Sequence, residues 1–181
     1  MTDETRVVFE GKWLRIKVQG RWEYAERTNA GGMAVIIVAV TPERKLLFVE
    51  QYRVPVGART IEMPAGLVGD VHSGESLELA AEREFLEETG WQAGHVQWLL
   101  TGPTSSGMSS EQVAFMRATD LRRMDAGGGD ESEQILVHEV PIADAPRWMA
   151  EKMAEGYALD AKLWAGLWLA DRNPDGSSAP R

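Results

Sequence analysis

The sequence predicts a mixed α/β sandwich on three observations: several short apolar segments with strand character, a few helix-length segments among and after them, and no regular strand–helix alternation. A doubly wound parallel sheet would need that alternation. The 181 residues suffice for one domain with a sizeable core and a small appendage.

The elements follow in order. Leu14, Ile16 and Val18 alternate with Arg15, Lys17 and Gln19, which predicts a half-buried strand. Gln19-Gly20-Arg21 turns the chain into a second strand carrying Trp22 and Tyr24. Residues 1–30 therefore read as a small antiparallel β appendage, closed by Asn29-Ala30-Gly31-Gly32. The main domain is expected over 31–172. Its first strands fall at 33–40, 45–53 and 59–63, with Thr41-Pro42-Glu43-Arg44 as a turn. Residues 64–75 read as a Gly-rich loop. Residues 76–89 read as a helix, with Ser76 as cap and Gly90 as stop. Strands follow at 95–100, 112–118 and 135–140, and helices at 144–155 and 160–171. Gly127-Gly128-Gly129 reads as a short flexible loop, and 173–181 as a flexible tail.

Composition removes several function classes. The apolar run over 33–40 is far too short to span a bilayer, and MTDETRVVFE shows no export signal, so a cytoplasmic protein without a membrane partner is expected. The absence of cysteine excludes disulfides and thiolate metal sites. A net charge of −9 argues against duplex nucleic acid as a partner. It suits a small anionic ligand only if a cation mediates. Mg²⁺, or Mn²⁺ in its place, takes the hard oxygen ligands that such a chain supplies.

The central feature is Glu84, Glu87 and Glu88 on the predicted helix. Glu87 lies about 60° to one side of Glu84 and Glu88 about 40° to the other, so the three share one side. Leu77, Ala80 and Ala81 fall on that side a turn or two earlier, and the acids continue an apolar strip. Two carboxylates about 6 Å apart repel by roughly 3 kcal/mol at an effective dielectric near 20. Bound divalent cations remove that conflict, and such cations also bind a pyrophosphate and acidify a bound water. Arg83 is placed to orient the acids by a bidentate hydrogen bond. A plain acidic surface with an Arg83–Glu87 pair is the alternative.

The spacing around these acids decides between the two. Gly69, then Glu75 after five residues, then Arg83-Glu84-Phe85-Leu86-Glu87-Glu88-Thr89-Gly90-Trp91 after seven more, resembles the Nudix box. All seven fixed positions match, with a chance probability at a given start of roughly one in 10⁸. The resemblance implies the Nudix-type α/β/α sandwich and in-line attack of water on a diphosphate. The phrase Glu62-Met63-Pro64-Ala65-Gly66 resembles the one that precedes the box in ADP-ribose pyrophosphatase-like members, but it stands three residues earlier than Gly69. Either Gly69 opens the box, or the loop carries an insertion and Gly66 is the equivalent glycine. Gly66 is the preferred reading, with the Ala65 carbonyl as the implied backbone metal ligand.

The resemblance extends to other residues. Glu84, Glu87 and Glu88 are the implied metal ligands, with Glu87 also a catalytic candidate and Arg83 its orienting partner. Glu111 lies in the loop 104–111 and is implied as catalytic base or further ligand, against a plain solvated acid. Glu131 and Glu133 are weaker candidates of that kind. Arg53, Glu62 and Arg27 are expected near the substrate phosphates. Trp22 and Tyr24 would offer a stacking surface to a nucleobase, across a dimer in this subgroup, or else simply pack the appendage. Trp148, Trp164 and Trp168 read as core or dimer surface. His72, His95 and His138 lack metal-ligand spacing.

The function so implied is Mg²⁺-dependent hydrolysis of a nucleoside diphosphate sugar by a homodimeric enzyme, with ADP-ribose the first choice. GDP-mannose or another such sugar nucleotide is the nearest alternative. Nucleoside triphosphates or dinucleoside polyphosphates follow, then a silent Nudix-fold ligand-binding module.

Overall fold

The computed structural model describes residues 4–28, 30–70, 74–129 and 134–179. His72, Glu131 and Glu133 lie outside them. The chain begins with β1 (Arg6–Glu10), β2 (Leu14–Gln19) and β3 (Trp22–Arg27), an antiparallel three-stranded sheet in that order. This N-terminal sheet has one strand more than the two that the alternation revealed. Glu26 of β3 accepts from both Arg15 and Lys17 of β2, which fixes the register across the sheet.

The main body holds two four-stranded sheets. One is built from β4 (Met33–Ala39), β7 (Ala65–Leu67), β9 (His95–Pro103) and β10 (Gln112–Thr119), in the order β7-β4-β10-β9. The other is built from β5 (Lys45–Arg53), β6 (Ala58–Glu62), β12 (Leu136–Pro141) and β13 (Ala158–Leu159), in the order β12-β5-β6-β13. The short β8 (Trp91–Gln92) and β11 (Arg122–Arg123) pair with each other. The helices are α1 (Leu77–Thr89), α2 (Ala145–Ala154) and α3 (Leu163–Leu169). Both sheets are mixed, as expected of the sandwich: β10 runs parallel to β4 and antiparallel to β9, and β13 runs parallel to β6.

The run of apolar residues in β4 has a direct cause. Val35, Ile37 and Ala39 pack with Ala80, Ala81 and Phe85 of α1, whereas Ile36 and Val38 face a second core with Phe48, Ile61, Met149 and Leu163. A strand covered on both faces needs apolar side chains at every position rather than every other one. Phe85 is fully buried, and cutting it to alanine would cost about 3–5 kcal/mol.

Two departures from the expectations matter. Residues 64–75 are not wholly loop, because Ala65–Leu67 pairs with β4 through Ala65↔Ile36 and Gly66↔Val35. Pairing on the edge of an existing strand gives three residues strand form without any alternation of their own. The glycine run is not loose, since Gly128 and Gly129 donate to the Glu88 and Glu87 carbonyls at 2.8 and 3.0 Å and close the C-terminal end of α1. Residues 173–179 make defined contacts with the body, with Asn173 accepting from Arg117 at 2.7 Å and Ala179 donating to Asp171 at 2.9 Å. No helix among the described residues is long and apolar enough to cross a membrane.

Candidate active site

Helix α1 starts where Ser76 accepts from the Leu79 N–H at 3.3 Å and stops at Gly90, whose φ of 70° suits glycine. These are the ends the sequence predicts. Between them, Ala80, Ala81 and Phe85 bury one side against β4, and Glu88 goes in with them, 4% exposed. Glu84 follows, its side chain 13% exposed. Glu87 does not. Its side chain is 56% exposed, because −60° from Glu84 is the margin of the buried face and not its middle. The common side expected for three acids therefore buries two.

Strand β7 supplies the other half of this corner. The Ala65 N–H donates to Glu88 Oε2 at 2.9 Å. Gly66 lies against Glu84 so closely that a Cβ there would sit 1.9 Å from the Glu84 carboxyl carbon. Only a residue without a side chain leaves room for that acid. Gly69 does something different: its N–H donates to Glu75 Oε2 at 3.2 Å. The two glycines between which the sequence leaves a choice thus face two different carboxylates of the motif.

Arg83 ties these pieces together, though not as expected. Its two-pronged contact goes to Glu75, with Nε and Nη2 at 3.1 Å from the two carboxylate oxygens. Nη1 reaches Glu84 at 2.8 Å and Glu87 at 3.5 Å, and Nη2 also donates to Asp70 and to the Leu67 carbonyl. One guanidinium thus meets four carboxylates. The charge is not balanced. Burial pushes the Glu84 carboxyl up to about 7 despite the opposing pull of Arg83, and the charges of Asp70 and Glu87 add to the rise. A carboxyl raised in this way is relieved by added positive charge.

Beside Ala65 opens a cavity of about 430 Å³. It contains Arg27, Arg53, Glu62 and Glu111, four of the residues singled out from the sequence, with Ala65 a fifth. Sheet order explains the gathering: β7 and β10 flank β4, and Glu111 immediately precedes β10. Arg53 Nε and Nη2 donate to the two oxygens of Glu62 at 2.7 Å each, and the Thr60 hydroxyl also donates to Glu62. Burial pushes the Glu62 carboxyl up, but these donors outweigh it and hold it below the ordinary range. Arg27 Nε donates to Glu111 Oε1 at 2.5 Å. Lys162 Nζ donates to Asp160 Oδ2 at 2.6 Å on the far wall, beside the apolar Leu159 and Val56.

Other candidates are not brought here. Trp22 is exposed and Tyr24 half-buried on β3, and neither lines the cavity. Trp148 stacks on Phe48 with ring centres 5.2 Å apart, while Trp164 and Trp168 remain exposed. His138 donates to or accepts from Glu50 at 2.9 Å, away from this corner. Among the described residues no three of the Asp, Glu and His side chains converge as a metal cluster. Glu84 and Glu87 lean on Arg83, Glu88 on Ala65, and Glu111 on Arg27. The sequence reading missed Glu75 as a partner, although its fixed place in the motif was the available signal. It also missed Thr60, Asp160 and Lys162, for which no local pattern exists.

Comparison with known proteins agrees with this architecture. The NUDIX domain matches residues 31–162. The chain is 32% identical over 158 residues to a methanol dehydrogenase activator of Bacillus methanolicus, covering 83% of each. It is 36% identical over 145 residues to an ADP-ribose pyrophosphatase of Bacillus subtilis (strain 168), covering 76% of each. A solved structure described as an ADP compounds hydrolase superposes with a TM-score of 0.65 at 21% identity, over 81% of this chain and 82% of that one, a likeness of fold. With the motif acids, their arginine and their glycine in one corner of a mixed sandwich, the chain belongs to the Nudix family and stands among its pyrophosphohydrolases.

Proposed function

We propose that this enzyme hydrolyses the pyrophosphate bond of a nucleoside diphosphate sugar, ADP-ribose first, to a nucleoside monophosphate and a sugar phosphate, with Mg²⁺ as cofactor and Mn²⁺ as substitute. The observation that carries the reading is the surplus of carboxylate at the α1–β7 corner beside a cavity with two arginines on its wall. The donor set fits a hard divalent cation: Glu84, Glu87, Glu88 and the Ala65 carbonyl offer oxygens, and the raised Glu84 carboxyl is relieved by positive charge. Such a cation supplies charge neutralisation for the diphosphate and acidifies a water.

The chain's own residues do the rest. Arg83 is held by Glu75 and keeps Glu84 turned towards β7. Arg53 is held by Glu62 at the cavity wall, which keeps its guanidinium where the pair can open to a phosphate. Glu111 takes a proton from the attacking water or adds a further oxygen ligand. The apolar stretch of Pro55, Val56 and Leu159 accommodates the sugar or base. Trp22, exposed on β3, is left for a second copy of the chain in a homodimer, together with the exposed Phe9 and Trp13 of the same N-terminal segment.

The decisive experiment is a panel of nucleotide sugars, triphosphates and dinucleoside polyphosphates with Mg²⁺ or Mn²⁺ in ¹⁸O-water. ADP-ribose should give AMP and ribose phosphate with a single ¹⁸O at one phosphorus. Preferential release of GMP from GDP-mannose would move the substrate within the same chemistry. Near-normal turnover by both E87Q and E88Q would sink the assignment.

A further inference from the structure

We propose that Arg27 is a positioning residue for Glu111: it holds the Glu111 carboxylate as a counter-ion until a diphosphate arrives, then exchanges that carboxylate for a phosphate oxygen. The inference rests on the reading of Glu111 as base or cation ligand, and it gives the N-terminal sheet a role within a single chain. Two kinds of contact join β3 to the loop 104–111. The first is backbone, from Ala25 N–H to the Met108 carbonyl at 2.8 Å and from Ser110 N–H to the Ala25 carbonyl at 3.1 Å. The loop is further closed by Thr104 N–H on the Glu111 carbonyl and by Ser109 Oγ, which accepts from the Glu111 N–H. The second is the Arg27–Glu111 ion pair at 2.5 Å, between residues 84 apart in sequence.

The backbone contacts set where the loop lies, and none uses the Arg27 side chain. The ion pair sets where the carboxylate points. Both side chains are only partly exposed and line the same cavity, so a ligand entering there meets the pair directly. Arg27 holds Glu111 by Oε1, so the carboxylate is turned towards the guanidinium and its charge is already met there. An arriving diphosphate offers Arg27 a bidentate partner of higher charge, and the same step that binds the anion frees the acid. Substrate entry and release of Glu111 are then one event.

A double-mutant cycle on the full chain tests this, with ADP-ribose and Mg²⁺ for turnover and Mn²⁺ alone for binding, and thermal melts to show that each variant is folded. E111Q is expected to lower kcat by about 100-fold or more, as loss of a general base does. R27A is expected to lower kcat by roughly tenfold and also to raise KM, with R27K between it and the parent. In the E111Q background R27A should leave kcat unchanged, because its path to the chemistry runs through the missing acid. Without substrate, R27A should bind Mn²⁺ more tightly than the parent where Glu111 is a cation ligand, and equally where it is the base, with the R27A/E111Q pair no tighter than E111Q in either case. Multiplicative losses in kcat, a rise in KM alone, or weaker Mn²⁺ binding in R27A would overturn the positioning role while leaving Glu111 its function. A wild-type kcat in E111Q would overturn both, and the α1 carboxylates would still stand or fall by E87Q and E88Q.

Discussion

The α1–β7 corner and the adjoining cavity meet at Ala65, yet their charges are arranged in opposite ways. At the corner one arginine faces Asp70, Glu75, Glu84 and Glu87, so acid is in excess. In the cavity each cation has its own acid: Arg27 with Glu111, Arg53 with Glu62, Lys162 with Asp160. An excess of carboxylate is relieved by a cation from outside, whereas balanced pairs must open to receive an anion. This division of charge is the feature on which the proposed binding of a metal–diphosphate complex rests.

The contrast can be broken at either side. The largest effect is expected from Gly66→Ala, which pushes a methyl into the Glu84 carboxyl group. Overpacking of this kind costs about 1–3 kcal/mol, so the melting temperature should fall. Activity should fall by more than about 100-fold because the displaced acid belongs to the proposed cation site. Gly69→Ala, which faces Glu75 only through its N–H, should be milder in turnover, and equal losses in both would undo the distinction between the glycines.

Next comes Arg83→Lys. A single ammonium cannot span Glu75 and Glu84 together, so kcat should drop by about 10–100-fold with little change in melting. Metal titration would check it, since the half-saturating Mg²⁺ concentration should change along with kcat. In the cavity, Arg53→Ala should act mainly on KM, by about tenfold, and cost about 1–3 kcal/mol by leaving Glu62 with fewer donors. Steady-state kinetics beside a urea titration would separate the two effects.

The smallest expected effect is on acid stability. The Glu62 carboxyl is held below its unfolded value near 4.5, so the stability it contributes is present above that pH. It is lost as pH falls through the lower folded value. Arg53→Ala should therefore raise the acid-unfolding midpoint, while leaving the neutral side of the profile unchanged in shape. An unmoved midpoint would mean that Thr60 and burial alone define this carboxyl.

How much of this was legible beforehand depended on distance along the chain. Helix α1, with Ser76 and Gly90 at its ends, and the acids at fixed offsets were legible because a helix converts spacing into direction. The same rule overstated Glu87, since 100° per residue gives an angle but not the edge of the partner that covers it. Strand β7 was illegible for a different reason: three residues carry no period, and only the free edge of β4 makes them a strand. Arg53, Glu62, Arg27 and Glu111 were named one by one from resemblance. Their pairing could not be read, because it follows from how β5 lies antiparallel on β6 and how β3 is hydrogen-bonded to the loop that precedes β10.

By itself, the sequence determined the family, the mixed α/β class and the helix that carries the acids, because each rests on local geometry or on residues at fixed separations. Tertiary structure alone decided which acids are buried, which glycine makes room for Glu84, and which arginine holds which carboxylate. These depend on strand order and on the approach of backbones from distant segments, and no spacing along one chain encodes that approach.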